Sequence, residues 1–245
     1  ASQITTIDAS AMTTGGALVQ TARSATVAST YTGSLGDDTF IMMNKSDVID
    51  GGAGTSDTLE INKAFVLGGI EIDLTSTTDQ ITTFNGSANA LVQKGFENVD
   101  VSGVTGSFGA QITAISTGST ITGTANADVV TGGAGVDEIT GGDGADTIIG
   151  GSGNDYIKAD TSGDNDVDTV TGGAGNDTFV WADAGEADVF VEAGSGGTDT
   201  ILFNAALSLA GLEYGTTTGG AAANASLAQF EQLVVATDTT ATVNS

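Results

Sequence analysis

Residues 132–158 read GGAGVDEIT GGDGADTII GGSGNDYIK, three consecutive lines of nine residues. Each line carries glycine at its first, second and fourth places, aspartate at the sixth and a large apolar residue at the eighth. The last three places form a short strand whose middle side chain points inward. The glycine-rich places are a tight turn for which positive φ angles are expected, a conformation that side chains oppose. The apolar slot recurs at Val130, Ile139, Ile148 and Ile157, nine residues apart; the next interval is thirteen, to Val170, and then nine again, to Phe179. Four extra residues, Ala159-Asp160-Thr161-Ser162, account for the long interval, and a degenerate line at 163–171 falls back into phase. With a weak first line at 123–131, six lines run from residue 123 to residue 180. A short fixed period of this kind is the mark of a solenoid. Two lines make one coil, so alternate turns stack about 4.8 Å apart.

The same turn has a chemical consequence. It directs backbone carbonyls toward one point and adds the carboxylate of the sixth place. A site between stacked turns is then lined by oxygen only, without nitrogen or sulfur. Such a flexible all-oxygen cage suits a hard cation with six to eight ligands, namely Ca²⁺, and suits the smaller, water-retaining Mg²⁺ less well.

Composition points the same way. Against 31 Asp and Glu stand 5 Lys and Arg, a formal net charge of −26. Nucleic acid and anionic membranes are therefore excluded as expected partners, since neutralising phosphate takes basic side chains. Hydrophobic residues make up 39 %, too many for an acidic disordered tail. Cys, His and Pro are all absent. Disulfides, thiolate zinc sites and the commonest general base go with them. No run of about 18 uninterrupted apolar residues exists, so no membrane span is expected. The first residues, ASQITTIDAS, carry no basic segment followed by an apolar run. Export is accordingly expected by a route that needs no N-terminal signal.

The array closely resembles the RTX family of calcium-binding nonapeptide repeats, G-G-x-G-x-D-x-U-x, with U a large apolar residue. Lines starting at Gly132, Gly141, Gly150 and Gly172 match fully, those at Gly123 and Gly163 in part. The resemblance implies a right-handed parallel β-roll with several Ca²⁺ ions held between alternate turns. One turn would give carbonyls from its first and third places plus its Asp, the partner turn carbonyls from its second and fourth plus its own. Carried over, Gly132, Ala134 and Asp137 meet Gly151, Gly153 and Asp155; Gly150, Ser152 and Asp155 meet Gly173, Gly175 and Asp177. On the opposite edge Gly141, Asp143 and Asp146 face Asp168, and Asp128 pairs with Asp146. The insertion lies just before Asp168 and puts that pairing in question. Asp164 and Asp166 are either extra ligands or solvated loop carboxylates. Asp38, Asp57 and Asp199 sit in isolated or irregular turns, with one residue too many at Thr55-Ser56-Asp57; calcium binding and plain turn chemistry are both open for them. Phe179 and Trp181 are expected to cap the apolar interior.

The flanks extend an all-β reading. Ile70-Glu71-Ile72-Asp73-Leu74 alternates as a half-buried strand does, and Asp50-Gly51-Gly52 and Asn85-Gly86 read as turns. A short helix is conceivable only in 221–233. Residues 33–41 resemble 172–180, residues 57–70 align without a gap against 199–212, and Phe96-Glu97-Asn98-Val99-Asp100-Val101 corresponds to Phe230-Glu231-Gln232-Leu233-Val234-Val235. This implies a duplicated module on either side of the array. The expected organisation is an N-terminal β-rich segment (1–32), a first β-rich module (33–122), the calcium β-roll (123–180) and a second copy of the module with a C-terminal tail (181–245).

No H-E-x-x-H can exist without histidine, and G-x-S-x-G is absent, so the protease and lipase heads that often accompany such arrays are excluded from the chain. No pair of acids stands out for glycoside chemistry. A non-enzymatic role is expected. The composition, with RTX turns between β-rich repeats and G-F-E-N-V-D-type segments, resembles RTX-type bacterial surface-layer proteins. That resemblance implies a secreted protein, exported by type I secretion, which folds on Ca²⁺ and assembles with itself into a lattice on the cell surface, with polysaccharide contacted through another region. The alternative is a secretion and spacer region of a large adhesin or exoenzyme.

Overall fold

A computed structural model describes residues 6–12, 19–21, 28–42, 45–61, 68–161, 166–181, 188–191, 197–203 and 232–235. Short β-branched runs between glycine-rich turns build a stack of parallel strands, as the nine-residue period demands. One ten-stranded sheet takes β2 (Val19–Thr21), β4 (Thr39–Met42), β6 (Thr58–Ile61), β11 (Asn98–Asp100), β13 (Thr120–Thr122), β15 (Glu138–Gly142), β17 (Tyr156–Asp160), β19 (Thr178–Trp181), β21 (Thr200–Phe203) and β22 (Gln232–Val235), in that order. A second sheet runs β20 (Val189–Val191), β18 (Thr169–Ala174), β16 (Thr147–Ser152), β14 (Val129–Thr131), β12 (Ala110–Thr113), β7 (Ile70–Asp73), β8 (Ile81–Phe84) and β9 (Ser87–Ala88). A third, smaller sheet orders β1 (Thr6–Asp8), β3 (Thr30–Thr32), β5 (Val48–Asp50) and β10 (Gln93–Lys94). No helix occurs among the described residues, and none is long and apolar enough to cross a membrane.

From β11 to β21 the chain alternates sheets strand by strand, so each coil takes two lines. The register shows it: Val130 pairs with Ile148 and Ile139 with Ile157, eighteen residues on. Every apolar slot falls on the inside. Ile121, Val130, Ile139, Ile148, Ile157, Val170 and Phe179 are buried, in a column one residue wide from each sheet. Phe179 does not cap the column, because Ile201 follows it in register and the Phe190 ring meets it edge-on at 5.4 Å. The side chain of Trp181 lies outside the described set.

The insertion leaves the stack intact. Ile148 still pairs with Val170 and Ile157 with Phe179, across twenty-two residues instead of eighteen. The extra length is taken up after Asp160, which continues β17 and pairs with Gly142. The N-terminal coils are less regular. The Asn85-Gly86 turn, both residues at positive φ (53° and 68°), closes an antiparallel hairpin between β8 and β9. The core widens to include Tyr31, Phe40, Met42 and Phe96.

Phe40, Leu59 and Val99 lie side by side across β4, β6 and β11. Phe179, Ile201 and Leu233 do the same across β19, β21 and β22. The helix considered for 221–233 is not found at its end, where Gln232 and Leu233 are strand; 221–231 fall outside the described residues.

Candidate metal centres

Because two lines make a coil, the sixth-place aspartates fall into two rows, one on each edge of the stack. On the first edge the backbone N–H of Asp137 donates to Oδ1 of Asp155 (2.9 Å), that of Asp155 to Asp177 (2.9 Å) and that of Asp177 to Asp199 (2.8 Å). The row begins with the Ser119 N–H on Asp137 Oδ1 (2.6 Å). On the second edge Asp128 donates to Asp146 (2.7 Å), Asp146 to Asp168 (2.7 Å) and Asp168 to Asp188 (3.0 Å). All these carboxylates are buried. The structure thus brings together each Asp–Asp pair that the resemblance implies. The 146/168 pair survives the insertion, because the excursion leaves the strand register unchanged.

The second carboxylate oxygen points into the turn. On Asp137 it accepts the Gly133 N–H (2.8 Å). On Asp155 and Asp177 it is buried and accepts no hydrogen bond. Buried acceptors are rarely left this way, and a cation is what such an oxygen can still bind. The glycines are needed for two different reasons. Gly151 and Gly153, at the second and fourth places, have φ of +111° and +124°, and a Cβ on either would run into a carbonyl of the coil before, Gly133 and Gly135 respectively. Gly150, at the first place, is not in the left-handed region, contrary to expectation. It is glycine because a Cβ there would come 2.6 Å from both Asp155 Oδ2 and the Gly172 carbonyl. The space beside each Asp is held open by the absence of a side chain. Gly132, Gly141 and Gly172 stand in the same relation to Asp137, Asp146 and Asp177.

The stacked turns also bring the expected carbonyl donors onto one edge. Gly151 pairs with Gly173 and Ser152 with Ala174, and the Ser152 N–H donates to Gly133 O (2.9 Å), which seats 150–153 directly against 132–135. The side chain of Asp143 accepts the Thr161 hydroxyl (2.9 Å), which leaves the carbonyl expected of this third place untouched. The slot opposite Gly142 is held by Asp160, since the excursion begins two residues later than the insertion at 159–162 implies. Asp164 lies outside the described residues, and Asp166 is exposed.

Burial and mutual repulsion raise the carboxyls. Desolvation, then the charges of Asp137 and Asp177, push Asp155 up to about 6 against the lowering effect of the Asp137 N–H. Asp137, Asp128 and Asp177 are raised mainly by burial. The site is electrostatically strained as it stands and calls for positive charge.

Three acidic residues emerge that the sequence reading had not selected. Asp188 extends the second row by one coil. Asp160 joins it, and Asp160, Asp168 and Asp188 place one carboxylate oxygen each within 4.8 Å of one another. Glu97 occupies an equivalent place in the N-terminal coils, its Oε2 accepting the Asp57 N–H (2.8 Å). Asp188 carried a legible signal, an acidic residue two before the apolar Phe190 slot, as in every line; Asp160 and Glu97 carried none.

A narrow parallel β-roll with two rows of buried carboxylates and all-oxygen turns is a calcium-binding architecture. Residues 122–157 and 162–180 match the model of the RTX calcium-binding nonapeptide repeat, in four copies, so the chain carries RTX repeats. Comparison with curated proteins returned no match. RTX repeats bind Ca²⁺, and the donor set here, carboxylate and carbonyl oxygen around glycine-lined space, fits that ion.

Proposed function

We propose that this chain is a secreted, non-enzymatic structural protein, exported by type I secretion, that folds on Ca²⁺ outside the cell and assembles with itself into a bacterial surface layer. Asp137, Asp155, Asp177 and Asp199 would hold the ions on one edge, with the carbonyls of the 132–135, 150–153 and 172–175 turns. Asp128, Asp146, Asp160, Asp168 and Asp188 would do so on the other. Bound Ca²⁺ supplies the positive charge that lets like carboxylates stack one coil apart. The chain's own residues do the rest. Glycines keep the space open, backbone N–H groups aim one carboxylate oxygen along the stack, and on Asp155 and Asp177 the other is left to the ion.

The observation that carries the folding reading is the row of buried carboxylates beside a core only one residue wide. Without compensation that core cannot offset the repulsion. Millimolar Ca²⁺ in the extracellular range is expected to convert a largely disordered chain to β-structure. A circular dichroism spectrum that chelator leaves unchanged would overturn this.

Self-assembly is supported by the outer face of the second sheet. In a chain of charge −26, the outward residues from β12 to β18 are Gln111, Thr113, Val129, Thr131, Thr147, Ile149, Thr169 and Thr171, all uncharged. Val129 and Ile149 are 46 % and 41 % exposed. The outer face of the first sheet, by contrast, carries Glu138 and Lys158. A second copy can approach this uncharged face without charge repulsion. Electron microscopy with and without Ca²⁺ tests it: ordered sheets at millimolar Ca²⁺ are expected, whereas an elongated monomer under all conditions would favour a spacer in a larger adhesin or exoenzyme.

A further inference from the structure

The carboxylate row does not start with the repeats. Asp57, far outside the matched segments, is fully buried and behaves as Asp155 does. Its Oδ1 accepts the Asp38 N–H (2.7 Å), and its Oδ2 is buried with no hydrogen-bond partner. That oxygen and the Gly36 carbonyl converge on the bare face of Gly54, where a Cβ would lie 2.8 Å from the carbonyl oxygen and 2.6 and 2.9 Å from the two carboxylate oxygens. Asp38 is held as Asp137 is, with its Oδ2 accepting the N–H of the residue four places earlier, here Ser34. A Cβ on Gly33 would in turn abut Asp38 Oδ2, at 2.6 Å. The extra residue in the 51–57 turn does not disturb this, because the Thr55 and Ser56 N–H groups are taken up by Asp37 Oδ1 (3.2 and 3.1 Å).

The next coil has no repeat. Only Gly95, Phe96 and Glu97 separate β10 from β11, where 132–137, between β14 and β15 of the array, is six residues long. A three-residue turn brings the main chain across by the shortest path, with Gly95 at φ +77° and Phe96 buried. Asn98 pairs with Thr58, so Glu97 stands opposite Asp57. Its longer side chain reaches the Asp57 N–H, the bond that an aspartate makes elsewhere in the row. One coil further the position is Ser119, without charge, and the Thr120 N–H is capped by Asn98 Oδ1 instead (2.7 Å). The row is therefore divided into Asp38–Asp57–Glu97 and Asp137–Asp155–Asp177–Asp199.

We propose that Asp38, Asp57 and the Gly36 carbonyl form a calcium site outside the repeats, and that Glu97 is its positioning residue, standing in for the aspartate of a repeat that is missing. It rests on the reading that the carboxylate turns hold Ca²⁺, and it adds a separate unit that the neutral coil at Ser119 uncouples from the array.

The test is hydrogen exchange read by mass spectrometry on the full chain during a Ca²⁺ titration, alongside Ca²⁺ stoichiometry by calorimetry. In the wild type, Ca²⁺ should protect peptides covering 38–61 and 137–160. Asp57→Asn should lower the stoichiometry by about one and move the 38–61 midpoint at least tenfold, leaving that of 137–160 in place. Glu97→Ala should weaken the 38–61 midpoint by roughly 10-fold, the usual size of an outer-shell loss, and Glu97→Gln, which keeps the acceptor oxygen, should restore most of it. Unchanged stoichiometry and midpoints in both Asp57→Asn and Glu97→Ala would overturn the proposal. If Ca²⁺ protected neither segment of the wild type, the calcium reading of the whole coil would fall instead.

Discussion

The array between Gly123 and Val180 and the coils between Gly33 and Val101 hold their edges by the same bond, an N–H on the carboxylate one coil further on. They differ in what fills the inside. In the array each sheet contributes a single Ile, Val or, at Phe179, Phe per coil, and the turns are copied line by line. In the N-terminal coils Tyr31, Phe40 and Phe96 pack ring to ring, with centroids 6.3 and 6.0 Å apart, and a hairpin, a bulged turn and a three-residue turn interrupt the pattern. Regular turns carry more carboxylates per unit of apolar core; irregular turns carry fewer and bury more. Dependence on cation should follow that ratio, since apolar burial of about 25 cal/mol per Å² is what opposes carboxylate repulsion.

Removing calcium should show the largest effect. In chelator, amides of 137–160 are expected to lose essentially all protection, while those of 38–61 and 96–101 keep part of theirs. Equal loss in both regions, measured by hydrogen exchange, would erase the distinction. Next come core truncations in the calcium-loaded protein. Phe96→Ala should cost about 3–5 kcal/mol and Ile148→Ala about 2–5 kcal/mol in urea unfolding. Their consequences should differ in range, because a break in a one-residue column has no lateral neighbour to collapse into it. Ile148→Ala should therefore raise the Ca²⁺ midpoint of the array, and Phe96→Ala should leave that midpoint alone.

Proton dependence is smaller and has opposite signs with and without the ion. Asp155 is pushed up to about 6 and Asp57 to about 7, the latter by burial first and then by the charges of Glu97, Asp38 and Asp37. An aspartate has a pKa near 3.9 in an unfolded chain. A group raised on folding opposes the folded state once ionised, so in chelator the coil should gain β-structure as pH falls from 8 toward 4 and lose it as pH rises through these values. The N-terminal segment should respond nearer pH 7 and the array nearer pH 6. With Ca²⁺ present, acidification instead weakens the complex, since protons compete for the same oxygens. Circular dichroism against pH in both conditions reads the two slopes, and parallel slopes would contradict the assignment. The smallest effect on stability and the most selective is on the uncharged face. Val129→Asp should change unfolding by no more than about 0.5 kcal/mol, as exposed substitutions do, yet suppress ordered sheets in electron micrographs. Unaltered sheets would place the contact elsewhere.

Much of this molecule is legible without coordinates. The interval of nine sets the coil, the alternation of two lines sets which Asp meets which, and the eighth place sets the core. Ile139 on Ile157 follows from counting, and Asp137 on Asp155 from the resemblance. The same counting fails where chain length and spatial position part company. The four-residue insertion was assigned to 159–162, but the excursion starts after Asp160, because continuing β17 by two residues keeps Gly142 paired. Gly150 was assigned a positive φ, but it is glycine for want of space beside Asp155.

What the sequence determined by itself was the repeat unit and its chemistry, because a nine-residue line is local: its glycines, carboxylate and apolar residue act within one turn and one strand. What only the tertiary structure decided was which carboxylates share an edge once the period is broken. Asp160, Asp188 and Glu97 reach their places through strand register with residues eighteen to forty positions away, and register is a property of the stacked backbone. No interval along the chain encodes that Glu97 faces Asp57, forty residues away; the pairing of Asn98 with Thr58 does.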